Sequence, residues 1–188
     1  MGDAIPLIHV FIDHSKVWGD ARAAYRIHHP KINDARARIR VKNLDRLLIN
    51  KRKGVTTKIV SGAVPPGLEG MWMEYQKAGY ATQRLFRDAH WREHGVGHSL
   101  IGHMWRLIAR HQASPTVLVL ASGDGRSNEF GPSFIEVVQD ILTHSKYESW
   151  NVEFASFEWP YEDGKTPLAS PTNQRMKQSS RRIHGGPS

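Results

Sequence analysis

The sequence predicts an α/β fold, a three-layer sandwich around a mainly parallel sheet of five or more strands. Two observations carry that expectation. Short apolar runs alternate with apolar runs at helical spacing from Leu7 to Phe157, the pattern of parallel strands joined by crossover helices. Two of the strand runs end on an aspartate in a small-residue turn, LIHVFIDHSKV at Asp13 and TVLVLASGDG at Asp124. Right-handed crossovers put all strand carboxyl ends on one edge, where ligands and metals bind.

Leu7–Ile12 reads as the first strand, and the basic stretch Gly19–Arg40, broken by His28-His29-Pro30, reads as irregular. Asn43 suits an N-cap, and Leu44, Leu47 and Leu48 repeat at helical spacing up to Lys53-Gly54. Thr56–Ala63 is the second strand. Pro65-Pro66-Gly67 opens a helix through Leu68, Trp72 and Tyr75 that stops at Gly79. Tyr80–Phe86 is the third strand and Thr116–Ala121 the fourth, with a helix through Leu100, Met104, Leu107 and Ile108 between them. Pro132–His144 is the last helix, carried by Phe134, Val137, Val138 and Ile141, and Trp150–Phe157 is the fifth strand. Beyond Trp159 the composition turns to Pro, Gly, Ser, Thr and Lys. The chain therefore divides into a folded domain, residues 1–159, and a flexible basic tail, residues 160–188.

The chain has 188 residues, enough for one domain with a sizeable core. No run is long and apolar enough to span a bilayer, and the start lacks the pattern of a signal peptide. There is no cysteine, which excludes disulfides and thiolate metal sites and fits a reducing, intracellular compartment; cytoplasm and nucleus are not distinguished. The net charge of +8 is uneven. Residues 1–60 hold 13 Lys and Arg against 5 acids, and residues 121–160 hold 2 against 7. A one-sided basic surface favours polyanions, nucleic acid first, over a face that serves solubility alone.

FIDHSK, TKIVSGAVPPGLEGMW, GYATQRLFR, HGVGHSLIGHMWRLI, LVLASGDGRSNEFGPSF and WNVEFASFEW stand in an order and spacing that resembles an NYN domain, a member of the PIN-like ribonucleases. The resemblance covers Leu7 to Trp159 and implies a Rossmann-like, PIN-like sandwich with metal-dependent nuclease activity on RNA. Acidic residues at the strand ends would hold Mg²⁺ or Mn²⁺, hard ions that take carboxylate oxygens. By that resemblance Asp13 and Asp124 are metal ligands and catalytic, with Asn128 as a further ligand and Glu129 as a further catalytic acid. Two positions depart from the family pattern. Lys16 stands where an Asn is common, and Gly97, in GVGH, stands where a central aspartate is expected. His98 is adjacent to that gap and Glu93 a turn away.

Other roles compete for these residues. Asp13, Asp124 and Ser122 also suit turn caps, and Glu129 suits a surface acid. His94 and His98 have the i, i+4 spacing of a zinc helix but lack the intervening acid of that motif. His103 reads as a partly buried core histidine, and Trp72 and Trp105 as core. Trp91, in a polar stretch beside His90 and Arg92, is the better base-stacking candidate. Lys16, Arg36, Arg38, Lys51, Arg52, Arg87 and Arg126 are the expected phosphate contacts. Three readings follow. The first is a metal-dependent endoribonuclease, weakened at Gly97. The second is an RNA-binding module that kept the fold and lost the chemistry. The third is a phosphate-handling α/β enzyme of another kind.

Overall fold

The computed structural model describes residues 5–31, 38–63, 69–85, 95–110, 114–122, 134–143, 150–155 and 178–179. The chain runs β1 (Leu7–Asp13), α1 (His14–His28), α2 (Val41–Ile49), β2 (Val55–Ala63), α3 (Glu69–Lys77), β3 (Ala81–Leu85), α4 (Val96–Arg110), β4 (Thr116–Ala121), α5 (Phe134–Thr143), β5 (Trp150–Ala155) and β6 (Gln178–Ser179). The sheet order is β3-β2-β1-β4-β5-β6. The first five of these strands are parallel, and β6 joins the β5 edge antiparallel. The expected α/β sandwich is present. Among the described residues no helix is long and apolar enough to cross a membrane.

Alternation along the strands builds the two outer layers. Ile8, Val10 and Ile12 of β1 face one side, where they share a core with Val17 of α1, Val41, Leu44 and Leu48 of α2, and Trp72 and Tyr75 of α3. Phe11 faces the other, against Leu100, Ile101, Met104, Leu107 and Ile108 of α4 and Phe134, Val137 and Val138 of α5. A strand covered on both faces must be apolar at nearly every position, and six of the seven β1 residues are buried.

Helix α1 occupies much of the stretch read as irregular. Its buried stripe is only His14, Val17 and Ala24, too polar to stand out as an apolar period, and Gly19 and the histidine pair suggested a break. Asp13 caps it by accepting from the Lys16 N–H at 3.1 Å. Helix α2 begins at Val41, two residues before Asn43, with Arg40 at the N-cap and no side-chain cap. Helix α3 ends as expected at Gly79. That residue has φ +85°, and the Tyr80 N–H bonds back to the Tyr75 carbonyl at 3.0 Å, a left-handed cap that glycine adopts without strain. In the tail, Gln178 and Ser179 pair with Ala155 and Phe154, so part of the stretch read as flexible lies on the sheet.

Helix α2 spans several strands. Lys58, Val10, Val119 and Glu153 are register partners in one row across β2, β1, β4 and β5, a width of about 14 Å at normal strand spacing. Asp45 of α2 pairs with Lys58 at one end of the row. Arg52, just beyond α2, pairs with Glu153 at the other. Arg52 also donates to the Ile49 and Leu48 carbonyls, capping the helix it extends.

Candidate functional site

The strand order reverses between β1 and β4. A crevice opens outside the carboxyl ends at such a reversal. Asp13 ends β1 there. Its register partner on β2 is Ser61, and the partner of Ser61 on β3 is Gln83. On the other flank Ile12 pairs with Ala121, so Ser122 follows beside Asp13. Asp13 and Ser61 alternate in step with Phe11 and Ile59, which pack on the α4 side. Asp13, Ser61 and Gln83 thus form one polar row beneath the start of α4.

Helix α4 grips the end of that row. The Ser99 hydroxyl donates to Gln83 Oε1, and the Gln83 amide hydrogen-bonds His103 Nε2. An amide nitrogen only donates, so the ring nitrogen accepts. Burial, and then the Arg106 charge, lowers the His103 pKa and keeps the ring neutral for that task. Gly97, buried in the first turn of α4, sits at the same edge two residues before Ser99.

Asp13 is held from the opposite side of β1. Its neighbour His14 bonds through Nδ1 to the Tyr75 hydroxyl at 3.0 Å and meets Trp72 and Tyr75 edge-on. Ser15 Oγ accepts from the Ala63 N–H at 3.2 Å. Gly62 admits this packing, since a Cβ there would lie 3.0 Å from the His14 Cβ and 3.4 Å from the Trp72 ring. The first turn of α1 is therefore pinned to β2 and α3, and Asp13 with it.

Asp13 is 5% exposed and is the only buried carboxylate among the described residues. Ser61 is fully buried, and its Oγ has no hydrogen-bond partner among them. A buried hydroxyl left unpaired is costly, and this one stands next to Asp13 in the row. Carboxylate and hydroxyl oxygens suit a hard divalent cation in kind. In number they fall short: no group of three or more His, Asp or Glu among the described residues is arranged to hold a metal.

The other expected site residues distribute as follows. Lys16 is exposed in the first turn of α1, beside Asp13. Arg38 is exposed ahead of α2. Lys51 and Arg52 precede β2 and so stand at the amino edge, the far end from Asp13. Lys51 is exposed, whereas Arg52 is engaged with Glu153 and two helix carbonyls. Asp124, Asn128, Glu129, Arg126, Arg36, Arg87 and Trp91 lie outside the described residues. Trp72 is core as expected, while Trp105 is 39% exposed. His103 is half-buried as expected.

Ser61, Gln83 and Ser99 were not foreseen. Their signal in the sequence is slight: a polar residue late in an otherwise apolar strand, as in KIVSGA. Only the register shows that two of them share a row with Asp13. No protein-family model matches the chain, and no curated protein or solved structure does so either.

Proposed function

We propose that the protein is a metal-dependent endoribonuclease of low activity whose site lies at the carboxyl edge of β1 and β4. One observation supports this most: buried Asp13 stands at the strand-order reversal, beside the Ser61 hydroxyl, which has no hydrogen-bond partner among the described residues. In this reading Asp13 and Asp124 bind Mg²⁺ or Mn²⁺, with Asn128 as a third ligand and Glu129 as a further catalytic acid. The bound ion supplies water activation and neutralises charge developing on a phosphodiester. The Lys16 N–H holds the Asp13 carboxylate in place. The Lys16 side chain and Arg84, both exposed near that edge, contact RNA phosphates. The net charge of +8 draws the polyanion in.

Gly97 favours a second reading, an RNA-binding module without catalysis. It brings no carboxylate to the α4 start, where the resemblance to NYN domains expects one. The experiment is cleavage and binding of RNA with Mg²⁺ and with Mn²⁺, comparing wild type with Asp13→Asn, Asp124→Asn and Gly97→Asp. Metal-dependent cleavage, lost in both Asn variants and raised by Gly97→Asp, supports the nuclease. Binding without cleavage by wild type supports the module. Absence of RNA binding removes both.

A further inference from the structure

We infer that α1 carries a stacking track for single-stranded RNA that leads to Asp13. This rests on the RNA reading above and adds a substrate class to it. Trp18, Arg22, Tyr25 and His29 follow at i, i+4, i+7 and i+11, so they form one stripe along α1 and its C-cap. The stripe borders the buried one, and its first three members are half-buried. Its side chains already pack in pairs, the second pair with its rings tilted by 42°. The Arg22 guanidinium lies 4.6 Å from the Trp18 ring centroid, and the Tyr25 and His29 rings are 4.6 Å apart.

Each pair joins an aromatic face to a cationic or titratable group, the composition of a single-strand platform. The two stations are seven residues apart, about 10.5 Å along a helix. Packing within each pair limits ring rotation before any base arrives, which lowers the entropy lost on binding. The surroundings are basic. Lys16, Arg26, His28 and Lys31 lie on or just beyond α1 against Asp20 as its one acid. The helix starts at Asp13, so a strand laid along it reaches the candidate site.

Single-stranded RNA is the occupant that this chemistry selects. Rings stack only on bases that are unpaired, and side chains cannot read the deep, narrow major groove of duplex RNA. An acidic protein would use the charges without needing the rings.

The test is fluorescence anisotropy with one labelled mixed-sequence oligoribonucleotide, presented single-stranded and as a duplex, over a range of salt. Wild type should prefer the single strand. Trp18→Ala with Tyr25→Ala should weaken single-strand binding about tenfold or more and leave duplex binding unchanged, as loss of stacking predicts. Trp18→Phe should keep most of the affinity. Trp18→Leu retains apolar bulk without a ring and covers the case of a poorly folded alanine variant; it should behave like Trp18→Ala. The ring-dependent loss should persist at high salt, where phosphate contacts fade. A double variant that binds single strands like wild type overturns the track and leaves the RNA reading standing. Equal binding of duplex and single strand by wild type does the same. No RNA binding by wild type overturns both.

Discussion

The two faces of the sheet treat polar side chains differently. On the α1–α2–α3 face, several polar groups are paired and tie distant segments together. His14 holds Tyr75, Asp45 holds Tyr80 and Lys58, and Arg52 holds Glu153. Burial, then the Asp45 charge, pushes the Tyr80 hydroxyl far above its ordinary pKa, so it stays a donor. On the α4–α5 face the described interior is mostly hydrocarbon, with His9 of β1, Thr116 of β4 and the Trp150 indole of β5 as its buried polar groups. Polar groups otherwise gather at the carboxyl end, in the row Asp13, Ser61 and Gln83. The first face uses polarity as bracing. The second keeps it at the crevice, where a ligand can use it. Substitutions on the first face should therefore register in stability, and those in the row should register in function.

The largest effect should come from the first face. Trp72 is fully buried between His14 and Tyr75, with Arg84 over its ring. Trp72→Ala should cost about 3–5 kcal/mol, the range for emptying a large aromatic site. Chemical denaturation measures it. A loss below about 1 kcal/mol would show that the aromatic cluster is not bracing α3.

The next effect is a pH dependence. Burial lowers the His14 pKa from 6.5 to about 4. The unfolded chain then binds a proton more readily than the folded one. Stability from this residue is whole above pH 6.5 and falls as pH drops toward 4, by about 3 kcal/mol at the lower end. His14→Gln should flatten the denaturation midpoint between pH 6.5 and pH 5, where most carboxylates remain ionised. If the variant and wild type show the same slope there, the ring is not the titrating group.

Much of this division was legible in the sequence, but unevenly. The five parallel strands and helices α3 to α5 follow from apolar period and from breakers such as Gly79. Asp13 was legible as a strand-end acid because Leu7–Ile12 is so uniformly apolar. Helix α1 was not, because its buried stripe includes a histidine and its neighbouring stripe, Trp18, Arg22, Tyr25 and His29, mixes aromatic and polar residues. The stacking stripe was missed with it, since Trp18 and Tyr25 share a side only on a helix. Arg52 reads in sequence as a phosphate contact for a different reason. Its partner Glu153 is 101 residues away, and no local pattern reports a contact of that range. Ser61 and Gln83 depend on strand register, which side-chain period sets only through the finished sheet.

A smaller effect tests the transverse brace. Arg52 and Glu153 are 23% and 22% exposed, so solvent screens their attraction. Glu153→Gln should cost about 1 kcal/mol or less, and the cost should shrink in high salt. RNA affinity should change little, because Glu153 lies in mid-strand, away from the carboxyl edge. A loss of RNA binding equal to that of a Lys16→Glu variant would mean that the brace orients the binding surface.

The smallest stability effect is the sharpest test of the contrast. Ser15 and Ser61 are both small hydroxyl residues near the carboxyl edge. Ser15 Oγ has a partner, the Ala63 N–H, whereas Ser61 Oγ has none among the described residues. Removing a hydroxyl that satisfies a backbone donor strands that donor, so Ser15→Ala should cost about 1 kcal/mol. Removing an unpaired buried hydroxyl strands nothing and relieves its desolvation. Ser61→Ala should thus fold within about 0.5 kcal/mol of wild type, or more stably. Its cost should fall on function instead, as weaker Mn²⁺ or RNA binding with an unchanged denaturation midpoint. Urea titration and binding isotherms on the two variants separate the outcomes. If Ser61→Ala destabilises more than Ser15→Ala and binds ligands like wild type, Ser61 belongs to the scaffold. The carboxyl row would then have lost the feature that sets it apart from the bracing face.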